Sequence, residues 1–246
     1  MELSEYENIS RLEDRHWWYV GMRNIAADLI RTLHLPPSAH ILDAGCGVGG
    51  GLKWLSAFGA VTGIDLHPLA TRYASQASSR VVQASVQSLP FPTASFDLVT
   101  SFEVLYHLAV TDDEQALGEF VRVLRPGGWL LVRVPAHNWL RGAHDRHIHT
   151  RHRYAPLELR QKIQRSGLAL RRLTSVGLFL LPAAVARRLV QSPTEVHTDV
   201  TLPSPVTNQL LIGLLKLEGT WLRRFNSPAG LSLLALAQKA QARRQN

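Results

Sequence analysis

The chain has 246 residues, of which 46% are hydrophobic and 19% are charged, and this composition excludes a largely disordered protein. The length suits one core with a small addition. Cys46 is the single cysteine, which excludes a disulfide framework and a cysteine-based metal site within the chain. The net charge of +8 is compatible with nucleic acid, an anionic membrane, an acidic substrate or simple solubility, and chooses none of them.

The sequence contains no recognisable export signal. The N-terminal stretch "MELSEYENISRLEDRHWW" is charged and has no apolar core, so it does not resemble a secretory signal. The most apolar stretch, "VGLFLLPAAVA" at 176–186, is too short to span a bilayer and contains Pro182. We therefore expect a cytoplasmic protein, with peripheral membrane association as the alternative.

In chain order, a helix is predicted over residues 5–33, with an aromatic cluster at Trp17, Trp18 and Tyr19, and "LPPS" ends it. Strands and helices then alternate. The predicted strands are "HILDAG", "AVTGIDL", "RVVQAS", "SFDLVTSF" and "WLLVRVP". The predicted helices are "GGGLKWLSAFG", "HPLATRYASQAS" and "TDDEQALGEFVRVL", the last stopped by "PGG".

This alternation predicts βαβ units and a mostly parallel sheet with helices on both faces. Further on, "APLELRQKIQRSG" predicts a helix, "LALRRLTSVG" a strand and "GLSLLALAQK" a last strand. The apolar segment between those two strands is broken by prolines, which favours an inserted helical cap. One domain is expected, with an N-terminal cap helix (1–37), a cofactor-binding core (38–177), a helical cap (178–228) and the last strand (229–240).

The stretch "ILDAGCGVGG" places alternating glycines after a buried strand and before a helix. Such a turn lets a ligand approach the backbone, and the helix N-terminus favours an anionic group. Gly45, Gly47 and Gly50 also satisfy the dinucleotide pattern G-x-G-x-x-G, and a turn without ligand is a further alternative. Asp43 would repel a pyrophosphate and suits an ammonium-bearing ligand, whereas Asp65 can hydrogen-bond ribose hydroxyls.

The ordered stretches "ILDAGCGVGG", "VTGIDLHP", "LPFPTASFDLVTSFEVLYHL" and "VRVLRPGGWLLVRVPA" resemble those of a class I S-adenosylmethionine-dependent methyltransferase. The resemblance covers roughly residues 15–175. It implies a Rossmann-like seven-stranded sheet, mostly parallel, with an antiparallel last strand. It also implies S-adenosyl-L-methionine as the cofactor.

The resemblance assigns roles residue by residue. Asp43, Gly45 and Gly47 would line the methionine part of the cofactor, Asp65 would hold the ribose, and Leu66 would lie beside the adenine. Where family members often place an acid near the adenine amine, this chain has Ser85 and Val86, so a backbone or hydroxyl contact would replace it. The residues expected at the active-site edge are Ser101, Phe102 and Glu103, beside the cofactor, and His107, facing the acceptor.

The N-terminal "HWWYVGMRN" resembles a cap helix found in some of these enzymes. There Trp18 or Tyr19 would cover the sulfonium by a cation–π contact, and Arg23 would meet the cofactor carboxylate. The alternative is that Trp17 and Trp18 belong to the core and that Arg23 is solvated.

A histidine-rich segment, residues 137–154, follows the fifth predicted strand and so lies at the ligand edge of the sheet. The pairs His144/His147 and His149/His152 have helical spacing, but no acidic cluster accompanies them, and we expect no metal. A histidine here, His149 or the nearby His107, could remove a proton from an acceptor, and Tyr154 is a third catalytic candidate. The alternative is that Tyr154 fastens the segment to the following helix.

The resulting expectation is an enzyme that transfers a methyl group to a small-molecule or lipid-like acceptor by in-line displacement. The alternatives are a nucleic-acid methyltransferase, a non-catalytic cofactor-binding protein and an NAD-linked oxidoreductase. The first lacks an Asn-Pro-Pro-Tyr-type motif after the fourth strand, and the last conflicts with Asp43. The acceptor, the methylated atom and the oligomeric state are left open by the sequence.

Overall fold

A computed structural model describes residues 3–142, 145, 149–190 and 201–241. The helices are α1 (Leu3–Leu12), α2 (Trp17–Arg31), α3 (Gly50–Leu55), α4 (Pro68–Ala74), α5 (Asp113–Val123), α6 (Pro156–Arg165), α7 (Leu181–Val190) and α8 (Pro205–Leu222). The strands are β1 (His40–Ala44), β2 (Ala60–Asp65), β3 (Val81–Gln83), β4 (Phe96–Phe102), β5 (Leu124–Pro135), β6 (Leu168–Val176) and β7 (Ser232–Lys239). A short 3-10 helix, Asn138–Leu140, follows β5.

The strands form one seven-stranded sheet in the order β3-β2-β1-β4-β5-β7-β6. The pairs among β1 to β5 are parallel, whereas β7 runs antiparallel to both β5 and β6. The strand order reverses at β1, which lies between β2 and β4, and ligands bind at such a switch point. The predicted Rossmann-like fold, mostly parallel with an antiparallel last strand, is confirmed.

Apolar side chains fill both faces of the sheet. One cluster includes Leu117 and Phe120 of α5 with Leu159 and Ile163 of α6. The opposite cluster is formed mainly by α2 and α8 on β1, β4 and β7. The sheet is therefore a rigid layer between two helical layers, and its strand ends can hold side chains in fixed positions.

The predicted helix over 5–33 is wrong in one respect, because the chain breaks between α1 and α2. His16 has extended backbone and its Nδ1 accepts a hydrogen bond from the Trp18 amide at 3.3 Å. A side chain that caps the first turn in this way starts a new helix. As a result α1 and α2 can pack on different parts of the molecule.

The start of β5 also differs from the prediction. "PGG" does not separate helix from strand, because β5 begins directly after α5, at Leu124. Leu124 pairs with Phe96, and the register shifts before Trp129 pairs with Leu98. The irregular pairing accommodates the proline and the glycine at φ +82° that the sequence pattern assigned to a turn.

The C-terminal helix α8 packs closely on α2. A Cβ on Gly21 of α2 would overlap the Leu215 side chain, so the absence of a side chain there lets the two helices approach. Asn208 ties their ends together, since it accepts from the Trp17 amide at 3.0 Å and donates to the Arg15 carbonyl at 2.9 Å. Within the described residues, no helix has the length and apolar character needed to cross a membrane.

Candidate functional site: an acid-flanked glycine turn and its acceptor edge

The glycine turn leaves the carboxyl end of β1 with left-handed backbone at Gly45, Gly47 and Gly49, where φ is +89°, +54° and +99°. The Gly45 and Cys46 amides donate to the Ile64 carbonyl at 2.8 and 2.7 Å, which fixes the turn on β2. A Cβ on Gly47 would meet no atom within 4 Å. The space beside Gly47 is therefore open, and a ligand can reach the backbone there.

Asp43 lies at the end of β1, only 3% exposed. Its Oδ1 accepts a hydrogen bond from Thr100 Oγ1 on β4 at 2.8 Å. Burial raises the pKa of Asp43 to about 6, and the Asp65 charge contributes in the same direction. A Cβ on Gly51 would overlap the Asp43 carboxylate, so that glycine makes room for the acid. A buried carboxylate with one hydrogen bond is suited to a cationic partner.

Asp65, at the end of β2, faces the same turn. Its two oxygens accept from the Gly47 amide at 3.0 Å and the His67 amide at 2.9 Å. Burial raises its pKa, although these amide hydrogen bonds oppose the shift. Each carboxylate oxygen can accept a further hydrogen bond, so Asp65 can still hold hydroxyl groups. The two predicted acids therefore both lie at the glycine turn, Asp43 against Gly51 and Asp65 against Gly47.

Sequence reasoning missed Tyr6 and Glu13, which lie beside the turn. Tyr6 is buried, and its ring stacks on His67 at 4.8 Å. Burial, assisted by the charge of Asp65, raises the pKa of Tyr6 to about 12. A Cβ on Gly50 would overlap the Glu13 carboxylate, and burial raises the pKa of Glu13 to about 7. The polar run Glu13–His16 was the available signal for a break that turns α1 back over the turn.

Arg23 and Trp18, the predicted cofactor residues of the N-terminal segment, lie in different surroundings. Arg23 forms an ion pair with Asp14 at 3.4 Å, and its charge acts on nearby Glu13. Trp18 packs against the hydrophobic core with its ring edge-on to Trp17, 5.7 Å between centroids. Arg23 is thus near the segment that covers the turn, whereas the contacts of Trp18 are those of a core residue.

The residues predicted to lie beside the adenine differ in their exposure. Leu66 is 50% exposed, and its carbonyl accepts from Gln83 Nε2 at 3.2 Å. Val86 is buried in the core, and the Ser85 hydroxyl accepts from the Gln87 amide at 3.2 Å. Leu66 is therefore available to a ligand at the edge of β2, while the Val86 side chain is not.

At the end of β4, Phe102 and Glu103 meet Arg133 of β5. The Phe102 ring stacks on Trp54 at 6.3 Å, and the Arg133 guanidinium lies 5.2 Å from its centroid. Arg133 is largely buried and donates to Glu103 Oε1 at 2.8 Å. Glu103 has a left-handed φ of +59°, and among the described residues the buried Ser101 hydroxyl has no hydrogen-bond partner. A charged pair thus lies directly beyond the strand that borders Asp43.

His107 and His149 lie together, with ring centroids 5.8 Å apart. Burial lowers the pKa of His107 to about 4, so it is neutral at pH 7. Its Nδ1 accepts from the Ala109 amide at 3.1 Å, which leaves the proton on Nε2. His107 is therefore suited to donate a hydrogen bond from Nε2 rather than to accept a proton.

Tyr154 is fully buried, away from solvent. Its hydroxyl donates to Asp113 Oδ2 and contacts the Leu105 carbonyl at 3.1 Å. Burial raises the pKa of Tyr154 well above its ordinary value, and the Asp113 hydrogen bond acts in the same direction. This placement favours the structural alternative, in which Tyr154 fastens the histidine-rich segment to the core.

The histidine-rich segment is held by ion pairs. Asp145 is buried and receives two hydrogen bonds from Arg153, at 2.8 and 3.1 Å. His144 and His147 lie outside the described residues. In the rest of the segment and elsewhere in the described chain, no group of three histidine, cysteine or acidic side chains could hold a metal ion.

The sheet order and the acid-flanked turn are similar to those of class I S-adenosylmethionine-dependent methyltransferases. In agreement, residues 42–132 match a family model described as a methyltransferase domain. Members of this family use S-adenosyl-L-methionine as the cofactor.

Among similar proteins, a probable S-adenosylmethionine-dependent methyltransferase of Mycolicibacterium smegmatis is 31% identical over 138 residues, or 55% of this chain and 52% of that protein. The 2-methyl-6-phytyl-1,4-hydroquinone methyltransferase of Synechocystis is 37% identical over 40% of this chain and 32% of its own length. A tRNA (carboxymethyluridine(34)-5-O)-methyltransferase of Arabidopsis thaliana is 38% identical over 41% of this chain and 25% of its own. The chain spans about half or less of the length of these relatives.

Solved structures share the fold over nearly the whole chain. An S-adenosylmethionine-dependent methyltransferase of Thermotoga maritima has a TM-score of 0.61 at 16% identity and covers 96% of each chain. At this identity the likeness concerns the fold alone.

Proposed function

We propose that the protein transfers the methyl group of S-adenosyl-L-methionine to a small-molecule or lipid-like acceptor. The observation that carries this proposal is the pair of acids Asp43 and Asp65 at an open glycine turn, at the switch point of the sheet. The acids suit an amine and a ribose, and the space beside Gly47 suits close approach of a ligand.

In this proposal the chain's own residues hold and orient the cofactor. Asp43 binds its amine as a buried carboxylate, and Asp65 binds the ribose with the lone pairs left free by Gly47 and His67. Tyr6 of α1 and Glu13, directly after α1, cover the glycine turn. When bound, S-adenosyl-L-methionine supplies an activated methyl group, so the protein needs to provide orientation and, for some acceptors, a base.

The residues at and beyond the carboxyl ends of β4 and β5, here called the acceptor edge, include an ion pair and the histidines His107, His137 and His149. Arg133 and Glu103 form a charged pair beyond β4, and His149 lies beside His107. We propose that Glu103 and Arg133 orient the acceptor, that His107 donates a hydrogen bond to it and that His149 accepts its proton. The sequence expectation of Tyr154 as a catalytic group is replaced here by its role in fastening the segment.

A lipid-like acceptor is the narrower form of the proposal. The Synechocystis relative is named for a phytyl hydroquinone, an acceptor with a polar ring and a long apolar chain.

The proposal is tested by calorimetric titration of the purified protein with S-adenosyl-L-methionine, S-adenosylhomocysteine and NAD. We expect micromolar binding of the first two and none of NAD, and loss of binding in Asp65→Ala. Glu114→Gln is the control, because its ion pair with Arg165 lies at the surface and contributes little. Binding of NAD alone, or of nothing by a folded sample, would overturn the proposal. Cofactor binding without methyl transfer to any acceptor would leave the non-catalytic alternative.

A nucleic-acid acceptor is the second candidate, favoured by the net charge of +8 and by the Arabidopsis relative named for tRNA. Its test is a tRNA titration at increasing salt. Specific methylation of tRNA, with binding that weakens steeply as salt rises, would replace the lipid-like acceptor. Methylation of a quinone-type acceptor, with no methylation of tRNA, would exclude the nucleic-acid candidate.

A further inference from the structure

Helix α8 has two apolar faces. One face packs on α2 and the sheet through Leu215 and Leu222, which are buried, and Gly219 allows close contact with Ile25. The opposite face contains Val206, Leu210, Leu217 and Trp221, which recur at helical spacing and are between 51% and 71% exposed in the described structure. An apolar helix of this kind is normally covered on all sides.

The exposed face is long and continuous. Phe225 extends it beyond the end of α8, and its ring lies 4.7 Å from that of Trp221. The helix has 18 residues, so the face is about 27 Å long. Continuous apolar surface of this size marks an interaction site on a protein that is otherwise of ordinary composition.

The charges beside this face indicate what it binds. Lys216, Arg223 and Arg224 are exposed along or just beyond α8. The only acidic residue of α8, Glu218, is buried and accepts hydrogen bonds from the Gly177 and Leu178 amides at 2.7 and 2.9 Å, so it presents no charge to the outside. Arg223 forms an ion pair with Asp28 at 2.9 Å, so Lys216 and Arg224 are the other two basic groups of this set that can meet an anionic surface.

Exposed leucine and aromatic side chains can insert into the interface of a bilayer, and basic groups beside them can meet its anionic headgroups. A second copy of the chain would bring one net charge of +8 against another, which opposes pairing, whereas an anionic bilayer attracts the same charge. We propose that α8 docks on the surface of an anionic lipid bilayer through Val206, Leu210, Leu217, Trp221 and Phe225.

This docking is connected to the cofactor site by covalent structure and hydrogen bonds. Asn208, on the first turn of α8, binds the backbone of Arg15 and Trp17. That short connection between α1 and α2 begins with Glu13, whose carboxyl group lies against Gly50. A bilayer bound to the exposed face of α8 would therefore be linked to this segment through the helix itself and Asn208 on its buried face. The inference itself requires the fold alone and goes beyond the proposed activity.

The test is co-sedimentation of the full chain with vesicles of phosphatidylcholine containing phosphatidylglycerol, compared with phosphatidylcholine alone. We expect binding to the anionic vesicles that weakens as salt rises. Leu210→Glu and Leu217→Glu should each reduce vesicle binding about tenfold or more, because each replaces a leucine that would insert into the lipid. Arg224→Glu should reduce the preference for anionic over neutral vesicles by about fivefold, since each basic group near such a surface contributes about 1 kcal/mol and the reversal removes at least that attraction.

Leu157→Glu is the matched control, because Leu157 is an equally exposed leucine on α6, away from α8. It should bind vesicles as the unaltered protein does. No binding of the unaltered protein to anionic vesicles, or an equal loss in Leu157→Glu, would overturn the proposal. A dimer in light scattering without lipid that Leu210→Glu dissociates would assign the face to a second copy instead. Calorimetry of cofactor binding is done on the same samples. A variant that binds the cofactor normally is folded, so its loss of vesicle binding concerns the docking surface and not the proposed activity.

Discussion

The glycine turn and the acceptor edge both contain left-handed backbone, but they place it on different residue types. At the turn, the positive φ values of residues 45–49 fall on glycines. At the acceptor edge, φ values of +57° to +59° fall on Glu103, His137 and His149. A side chain in that region costs about 1–2 kcal/mol, so of these two regions the acceptor edge is the one that carries this backbone strain.

Interactions between distant residues hold the strained edge in place. Glu103 is bonded to Arg133, 30 positions away, and the His149 carbonyl accepts from the Leu108 amide at 2.9 Å. By contrast, the glycine turn needs only its own sequence and the amides that bind β2. Local sequence therefore determines the backbone of the glycine turn, whereas the acceptor edge depends on contacts between residues that are distant in the chain.

Gly45→Ala should have the largest effect, because it would remove the freedom on which the turn depends. The new Cβ would overlap the Val104 side chain at a φ of +89°. We expect a loss of about 2–4 kcal/mol in the free energy of unfolding, from strain and overpacking together. Urea denaturation followed by circular dichroism measures this value.

The control for Gly45→Ala is Gly118→Ala, since Gly118 lies within α5 and a Cβ there would meet no atom within 4 Å. Alanine should stabilise that helix by about 0.5–1 kcal/mol. Equal stabilities for the two variants would contradict the claim that the turn requires glycine.

Asp43→Asn should weaken binding of S-adenosyl-L-methionine about 10- to 100-fold, the loss expected when a charged hydrogen bond of about 1.5–3 kcal/mol is removed. The fold should persist, because asparagine keeps an acceptor for Thr100. Calorimetry at pH 7.5 measures the affinity. An unchanged affinity would contradict the assignment of the amine to Asp43.

The titration of Asp43 predicts how stability and cofactor affinity change with pH. Its pKa in the folded protein, about 6, lies above the value of an exposed acid, so the folded state takes up a proton first as pH falls. Burial of this carboxylate therefore costs stability at neutral pH, and that cost is relieved as pH drops from about 6 towards 4. Cofactor affinity should decline as pH falls below 6, because protonated Asp43 no longer attracts the amine. In Asp43→Asn this decline should be absent.

Much of the fold could be predicted from the sequence because its elements have local signals. The strand at 40–44, the glycine turn and the acid at the end of β2 each follow from a short pattern. The break before Trp17 could not be predicted, because it depends on the His16 cap and on where α1 packs. For the same reason Tyr6 and Glu13, which lie beside the turn, were not expected there.

The candidate site was predictable on its cofactor side and less so at the acceptor edge. The sequence motif predicts roles for Asp43 and Asp65, and the structure brings both residues to the same turn. The position of Tyr154 depends on Asp113, 41 residues earlier in the chain, and such a contact has no local pattern. Histidine spacing likewise does not reveal that the Ala109 amide uses one nitrogen of His107.

Glu103→Gln tests whether the strained acceptor edge orients the substrate. The variant keeps the size of the side chain but loses the ion pair with Arg133. We expect kcat/KM for the acceptor to fall about tenfold, the effect of about 1.4 kcal/mol, while cofactor affinity stays unchanged. Steady-state kinetics and calorimetry together measure this; a loss of cofactor affinity alone would move Glu103 to the cofactor side.

Tyr154→Phe should have the smallest effect and separates the two roles considered for this residue. Burial alone would raise the pKa of Asp113, but hydrogen bonds from Lys162 and Tyr154 hold it below its ordinary value. Stability from this acid is therefore present above its unfolded pKa and is lost as pH falls through the lower folded value. Removing one hydroxyl should cost about 1 kcal/mol at pH 7 and weaken this acid-dependent loss, with methyl transfer unchanged. If methyl transfer disappears while stability is retained, Tyr154 acts in the chemistry and the acceptor edge extends into the core.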